Sequence, residues 1–281
     1  MAHAYRTIVT QHADIRLTES SGTGLPVLML HGSSASRRVF DPLLAGPVAD
    51  RQRVIAMDLP GHGESSDARE LDSYSIPALA DCVAEVLAAL RIERLMVFGW
   101  SLGGHVAIEL LHRHPGICGL MLTGTPPVAP GPISMLRAFH TNWDMLLATK
   151  EHFSPRDVER YAHLCYGDDT APELLDAVRR ADGRFRPVLA RSLMRADQRR
   201  AVEHADIPIA IVNGENDPII RHSYFSGLDI PTLWDGRTHM IYDAGHAPFR
   251  DNPERFAALL LRFAAHAEAY QPAAHELART A

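Results

Sequence analysis

The chain is poor in the features that announce several common protein classes. Its 281 residues include only 3 cysteines, Cys82, Cys118 and Cys165, widely spaced and without a C-x-x-C pair. That excludes a disulfide framework and a zinc ribbon, and it reads as reduced, mostly buried thiols in a cytoplasmic protein. Neither H-x-H-x-D-H nor H-E-x-x-H occurs, although there are 16 histidines. His112 and His114 of "HRHP" stand two apart on a helical pattern and point to different faces, so no metal and no cofactor is expected. No apolar run nears the ~20 residues that span a bilayer, and the opening "MAHAYRTIVTQHAD" has no apolar signal core. A basic excess is missing as well. The formal net charge of -6 argues against a nucleic-acid partner. Internal repeats and low-complexity tracts are absent. What remains is 46% hydrophobic and 22% charged, the balance of a globular protein. The length suits one large domain, or a domain with an inserted cap.

Short apolar runs alternate with longer helical patterns. "TIVTQHADIRLTES" alternates polar and apolar residues and reads as an opening hairpin. "LPVLMLHG", "RVIAMDLPGHG", "RLMVFGWS", "GLMLTGTPP" and "PIAIVNGENDP" are continuous apolar runs ended by turn residues, as expected of strands covered on both faces. "THMIYDAGH" is a weaker example. Helical spacing is seen over 76–90, 102–114 (ended by Pro115) and 253–266. Strands alternating with helices predict an α/β fold with a mostly parallel central sheet. Residues 129–205 hold no convincing strand. They read as a helical cap inserted into a core made of 1–128 and 206–281. The many arginines between Arg179 and Arg200 read as a solvated helical face.

Gly99-Trp100-Ser101-Leu102-Gly103 matches G-x-S-x-G between a strand and a helix, the setting that pushes a serine hydroxyl out above a sheet edge. A serine nucleophile needs a base, and the base needs an acid to orient it. In the chain order acid then histidine, His246 of "DAGHAPF" follows the last strand, and Asp217 of "NGENDP" follows the strand before it. Glu215 is the neighbouring alternative for the acid. Asp235 and Asp243 read as turn residues. Backbone N–H groups of Leu102 and of Ser33, in "HGSS", are the expected oxyanion donors. Gly32 suits close approach of a substrate. Trp100, beside the serine, is a further candidate for substrate contact. Phe139, Trp143 and Tyr161 are expected to line an apolar channel in the cap.

"LMLHGSS", "DLPGHGES", "GWSLGG", "NGENDP" and "AGHAPF" together resemble the α/β-hydrolase superfamily over essentially the whole chain. More narrowly, "VFGWSLGGH", "TGTPPVA", "IVNG" and "GHAPFR" resemble the metal-independent N-acyl homoserine lactonases of that fold. The resemblance implies an α/β-hydrolase fold, ring opening of a small lactone or ester through an acyl-enzyme at Ser101, and Tyr161 facing the lactone from the cap. The sequence departs from the lactonase pattern at two positions. Ser33 stands where an asparagine follows the HG pair, and Asp217 stands where the acid is a glutamate. A carboxylesterase, a carbon–carbon bond hydrolase and a peptidase share the triad. A receptor that uses the same pocket only to bind is the non-catalytic alternative.

Overall fold

The computed structural model describes residues 3–141, 143–168 and 171–270, without the side chain of Trp143. Its centre is a sheet of eight strands in the order β1-β2-β4-β3-β5-β6-β7-β8. β1 (Ala4–Val9) and β2 (Asp14–Glu19) form an antiparallel hairpin, and β2 pairs antiparallel with β4 (Gln52–Met57). All later pairings are parallel, through β3 (Gly24–Leu30), β5 (Leu95–Trp100), β6 (Ile117–Thr123), β7 (Ile209–Gly214) and β8 (His239–Ile241).

Every residue of β5 and of β7 is buried. This accounts for their continuous apolar sequence, since a parallel strand is covered on both faces. Adjacent residues show how. Phe98 meets Phe256 with ring centroids 5.1 Å apart, whereas a Cβ on Gly99 would stand 2.5 Å from Gly104 Cα. Successive side chains of a strand point to opposite faces. The helices carrying Phe256 and Gly104 therefore cover opposite sides of the sheet.

The main helices are α1 (Ile76–Ala89), α2 (Leu102–Leu110), α3 (Pro132–Ala138), α4 (Pro155–Tyr166), α5 (Pro172–Arg180), α6 (Phe185–Leu193), α7 (Gln198–Glu203) and α8 (Pro253–Ala269). Proline in the first turn of α1, α3, α4, α5 and α8 supplies a preset φ where no intrahelical N–H bond is lost. Ser154 and Asp157 add a capping box at the start of α4: Ser154 Oγ accepts from Asp157 N, and Asp157 Oδ2 accepts from Ser154 N at 2.8 Å. α2 stops at Leu110, short of the predicted His114. Its last turn tightens, with Arg113 N donating to Leu110 O at 2.9 Å, the i to i+3 closure common at helix ends.

Helices α3 to α7 and a 3₁₀ stretch, Trp143–Thr149, all lie between β6 and β7. Among the described residues of this stretch, the sole β contact is one isolated bridge from Phe139 to Ile220. No helix among the described residues is long and apolar enough to cross a membrane.

Candidate active site

Ser101 stands alone between β5 and α2, at φ 53° and ψ -117°. A non-glycine residue rarely adopts that region, so the surroundings must hold it there. Ser101 N donates to Thr123 O at 2.9 Å, and Ser101 O accepts from Thr125 Oγ1 at 3.0 Å and Gly104 N at 2.9 Å. The motif's glycines serve the close fit of strand and helix. A Cβ on Gly103 would meet Leu30 O at 2.0 Å, and one on Gly104 would meet Thr125 Oγ1 at 2.1 Å. α2 can therefore lie directly on the sheet edge, and the serine projects above it.

The turn after β6 brings the histidine to the same place. Thr123 and Thr125 hold the Ser101 backbone, and Gly124 between them has φ +60°. A Cβ there would stand 2.5 Å from His246 Cε1, so only glycine leaves room for the ring. His246 O accepts from Trp100 Nε1 at 2.8 Å, which ties the histidine loop to the end of β5. Asp217, in the loop after β7, places Oδ2 2.8 Å from His246 Nδ1. Its Oδ1 accepts from Ile219 N at 2.8 Å and Ile220 N at 3.3 Å. Both side chains of the Asp217–His246 pair are 1% exposed. A carboxylate only accepts, so Nδ1 carries a proton, and in the neutral ring the lone pair is on Nε2. Glu215 is exposed, and its Oε2 accepts from Asp243 N at 3.4 Å. Asp235 and Asp243 have φ of 55° and 57°, as turn residues do.

The turn after β3 completes the floor. His31 is fully buried and Nε2 accepts from Leu59 N at 3.0 Å. Nδ1 therefore donates to Gly32 O, 2.8 Å away. Burial pulls the His31 pKa down and keeps the ring neutral. A Cβ on Gly32 would meet the Trp100 ring at 2.9 Å and Ser101 Cβ at 3.2 Å. Glycine thus lets the turn ride over the serine. Leu102 opens α2, where an N–H has no acceptor within the helix.

Above Ser101 lies a cavity of about 280 Å³, walled by Ser33 and Leu102 below and by Met135, Phe139, Tyr161 and Leu189 from the helices between β6 and β7. Tyr161 Oη donates to Ser33 Oγ at 2.8 Å, and burial raises its pKa so that it stays a phenol. His105 also lines the cavity. It pairs Nδ1 with Gln198 Oε1 at 2.6 Å, and burial pushes its pKa down to about 4, so the ring is neutral. Sequence reasoning gave His105 no role. Its place one helical turn after Ser101, on the same face of α2, was the available signal. Cys165 is buried near Tyr161 and Asp217, and burial pushes its thiol up to about 12.

Two of the expected substrate contacts need correction or lie beyond description. Trp100 does not reach the cavity: it is 1% exposed and packs on Phe249 and His246, with centroids 5.4 and 5.5 Å away. As the last residue of β5 it points into the core, while the turn at Ser101 points out. The side chain of Trp143 lies outside the described residues. Among the described residues, no cluster of three or more His, Cys, Asp or Glu side chains could hold a metal ion.

A doubly covered, mostly parallel sheet, with a strained serine at a strand–helix turn and an Asp–His pair beside it, is the architecture of one large family. Residues 27–259 match the alpha/beta hydrolase family, and the chain belongs to it. The N-acyl homoserine lactonase AidH is similar throughout. A serine-to-glycine variant of AidH, complexed with N-hexanoyl homoserine lactone, shares 44% identity and superposes with a TM-score of 0.92, covering 95% of this chain and 100% of that one. AidH complexed with N-butanoyl homoserine gives 44% identity and a TM-score of 0.92 over 95% of this chain and 98% of that one. Among curated proteins, the pimeloyl-[acyl-carrier protein] methyl ester esterase of Neisseria meningitidis serogroup A is 31% identical over 251 residues, 84% of this chain and 76% of that protein.

Proposed function

We propose that this protein is a serine hydrolase that opens the lactone ring of N-acyl homoserine lactones, and so quenches quorum-sensing signals. The observation that carries the reading is the likeness to AidH over nearly the whole chain, joined to an apolar cavity that opens on Ser101. In this reading residues 129–205 form a cap over the core of 1–128 and 206–281, and the partner is a small ester or lactone rather than nucleic acid or membrane.

His246 Nε2 takes the Ser101 proton as Oγ attacks the lactone carbonyl. Asp217 holds the ring in the required tautomer and stabilises the imidazolium. The N–H groups of Leu102 and Ser33 receive the developing oxyanion, and each such donor is typically worth about 3 kcal/mol in the transition state. Collapse expels the ring oxygen, which takes the proton from His246, and the opened chain stays esterified to Ser101. Water activated by His246 then releases the ring-opened acid. The apolar walls suit the acyl chain. Gly32 is compact enough to let the lactone approach the turn.

The test is the product. N-acyl homoserine lactone should gain one water with its amide intact by mass spectrometry. Release of free homoserine lactone and a fatty acid would mark an acylase and sink the lactonase reading. A carboxylesterase is the second reading, favoured by the 31% likeness to the methyl ester esterase. Faster turnover of acyclic methyl esters than of lactones of equal acyl length would select it.

Tyr161→Phe removes the donor to Ser33 Oγ and the hydroxyl's contact with Cys165, and leaves the ring in place. One hydrogen bond of about 1.4 kcal/mol corresponds to about tenfold in kcat/KM on the lactone. The melting temperature should stay within a few degrees. Unchanged kinetics on every lactone tested would reduce Tyr161 to a packing residue.

A further inference from the structure

Arg186 in α6 is 1% exposed. A guanidinium so deeply buried ordinarily faces a carboxylate, because an unpaired buried charge is costly. Among the described residues Arg186 forms no ion pair. Its N–H groups go to neutral acceptors instead. Nε and Nη2 both donate to Ser34 Oγ, at 3.2 and 2.9 Å. Nη1 donates to Glu151 O at 3.1 Å and Lys150 O at 3.3 Å. The guanidinium carbon lies 3.7 Å from the centroid of the Phe153 ring. The side chain is thus fixed at its outer edge by backbone carbonyls and on one face by an aromatic ring, and it spends its other edge on one serine.

That serine occupies a demanding position. Ala35 N donates to Gly32 O at 3.2 Å, closing a turn in which Ser33 and Ser34 are the central residues. Ser34 has φ 57°. A residue at that place in a turn with positive φ is ordinarily glycine, and the left-handed region costs other residues about 1–2 kcal/mol. A peptide plane that relaxes there takes the neighbouring plane with it, and the neighbouring residue is Ser33.

We infer that Arg186 is a positioning residue for the oxyanion turn: by gripping the Ser34 hydroxyl it holds the Ser33 N–H aimed at the carbonyl being attacked. This rests on the reading of Ser33 and Ser101 given above. Two residues from the stretch between β6 and β7 then clamp adjacent serines of one turn, Tyr161 on Ser33 and Arg186 on Ser34. The Arg186 positive charge behind the turn, with no carboxylate in direct contact among the described residues, acts in the same direction, since it favours negative charge forming in front of it.

The experiment compares wild type, Arg186→Met and Ser34→Ala, using kcat and KM on a short-chain lactone and the inhibition constant of a trifluoromethyl ketone. The hemiketal of that ketone places an oxyanion where the reaction does. Displacing a reacting contact by a fraction of an ångström costs about tenfold or more. Arg186→Met should therefore lose about tenfold in kcat with KM within about twofold, and the ketone should weaken in proportion to kcat. Ser34→Ala deletes only the hydroxyl and should move kcat and the ketone constant the same way, which keeps the test intact if Arg186→Met fails to fold. A folded variant whose kcat and ketone affinity match wild type would overturn the inference. So would a change confined to KM, or to the melting temperature, since Arg186 would then only hold the helices together. Wild type indifferent to both the ketone and a fluorophosphonate would remove the serine reading itself, and the inference with it.

Discussion

Ser101→Ala should lower turnover at least about 10³-fold and leave the fold unchanged. The strain at Ser101 lies in its backbone, at φ 53°, and alanine carries the same Cβ into the same region. The bonds that hold the position engage the Ser101 backbone: Ser101 N to Thr123 O, and Thr125 Oγ1 to Ser101 O. Neither uses the hydroxyl. Stability should therefore be nearly silent while chemistry is lost, a combination that few core substitutions give. Steady-state rates on a lactone and an aryl ester, with melting temperature by calorimetry, check both halves. A fluorophosphonate should add its mass to the wild-type chain and not to the variant. Near-normal activity in a folded Ser101→Ala chain would end the triad assignment.

Asp217→Asn should cost nearly as much, about 10³- to 10⁴-fold, and the hydrogen bonds say why. Asp217 Oδ1 is committed to Ile219 N and Ile220 N, and Oδ2 to His246 Nδ1. An asparagine keeps its carbonyl oxygen on the two backbone N–H donors, because its amide nitrogen cannot accept from them. The amide nitrogen then faces Nδ1 and donates to it. That forces the proton onto Nε2, where it blocks removal of the Ser101 proton. Glu215→Gln should leave the rate unchanged, since Glu215 is exposed and, among the described residues, its side chain hydrogen-bonds only Asp243 N. If Glu215→Gln proves the crippling change and Asp217→Asn does not, the acid has been misassigned. Rates of purified Asp217→Asn and Glu215→Gln chains across pH separate the two outcomes.

Much of this site is legible in the chain because each element ends in a residue type that has few alternatives. Gly99, Gly103 and Gly104 sit where a Cβ would strike backbone or a neighbouring side chain, so the pentapeptide reports a close approach of strand and helix. From β5 to β8 the strands lie in the order of the apolar runs, whereas β4 stands between β2 and β3, an exchange that no apolar run signals. Asp217 and His246 follow the last two strands, and parallel strands bring their trailing loops to one edge.

Other features are fixed by contacts that no local pattern carries. Trp100 adjoins Ser101 in sequence yet turns inward, because a strand's alternation decides its direction and the chance meeting with His246 O decides its partner. Arg186 sits in an arginine-rich stretch that reads as a solvated face. Arg184, two residues earlier, is half exposed and paired with Asp182, whereas Arg186 is buried against Ser34. Arg184 is the cap residue just before α6, whereas Arg186 lies within its first turn, and the register of that helix follows from packing. His105 likewise gains its Gln198 partner from a helix 93 residues away.

The sheet order carries a consequence for how the molecule comes into being. The elbow around Ser101 can form once β3, β5 and β6 have paired, since the hydrogen bonds on the Ser101 backbone come from residues up to Thr125. The loops bearing Asp217 and His246 hang on β7 and on β8, a strand of three residues at the sheet's outer margin. A chain emerging from the ribosome therefore acquires its hydroxyl early and its proton acceptor last, after the long helical excursion has been traversed and the final two strands have docked. Until then Ser101 has neither Asp217 nor His246 beside it. Under the proposed mechanism a half-made or frayed chain would therefore carry the hydroxyl without its base.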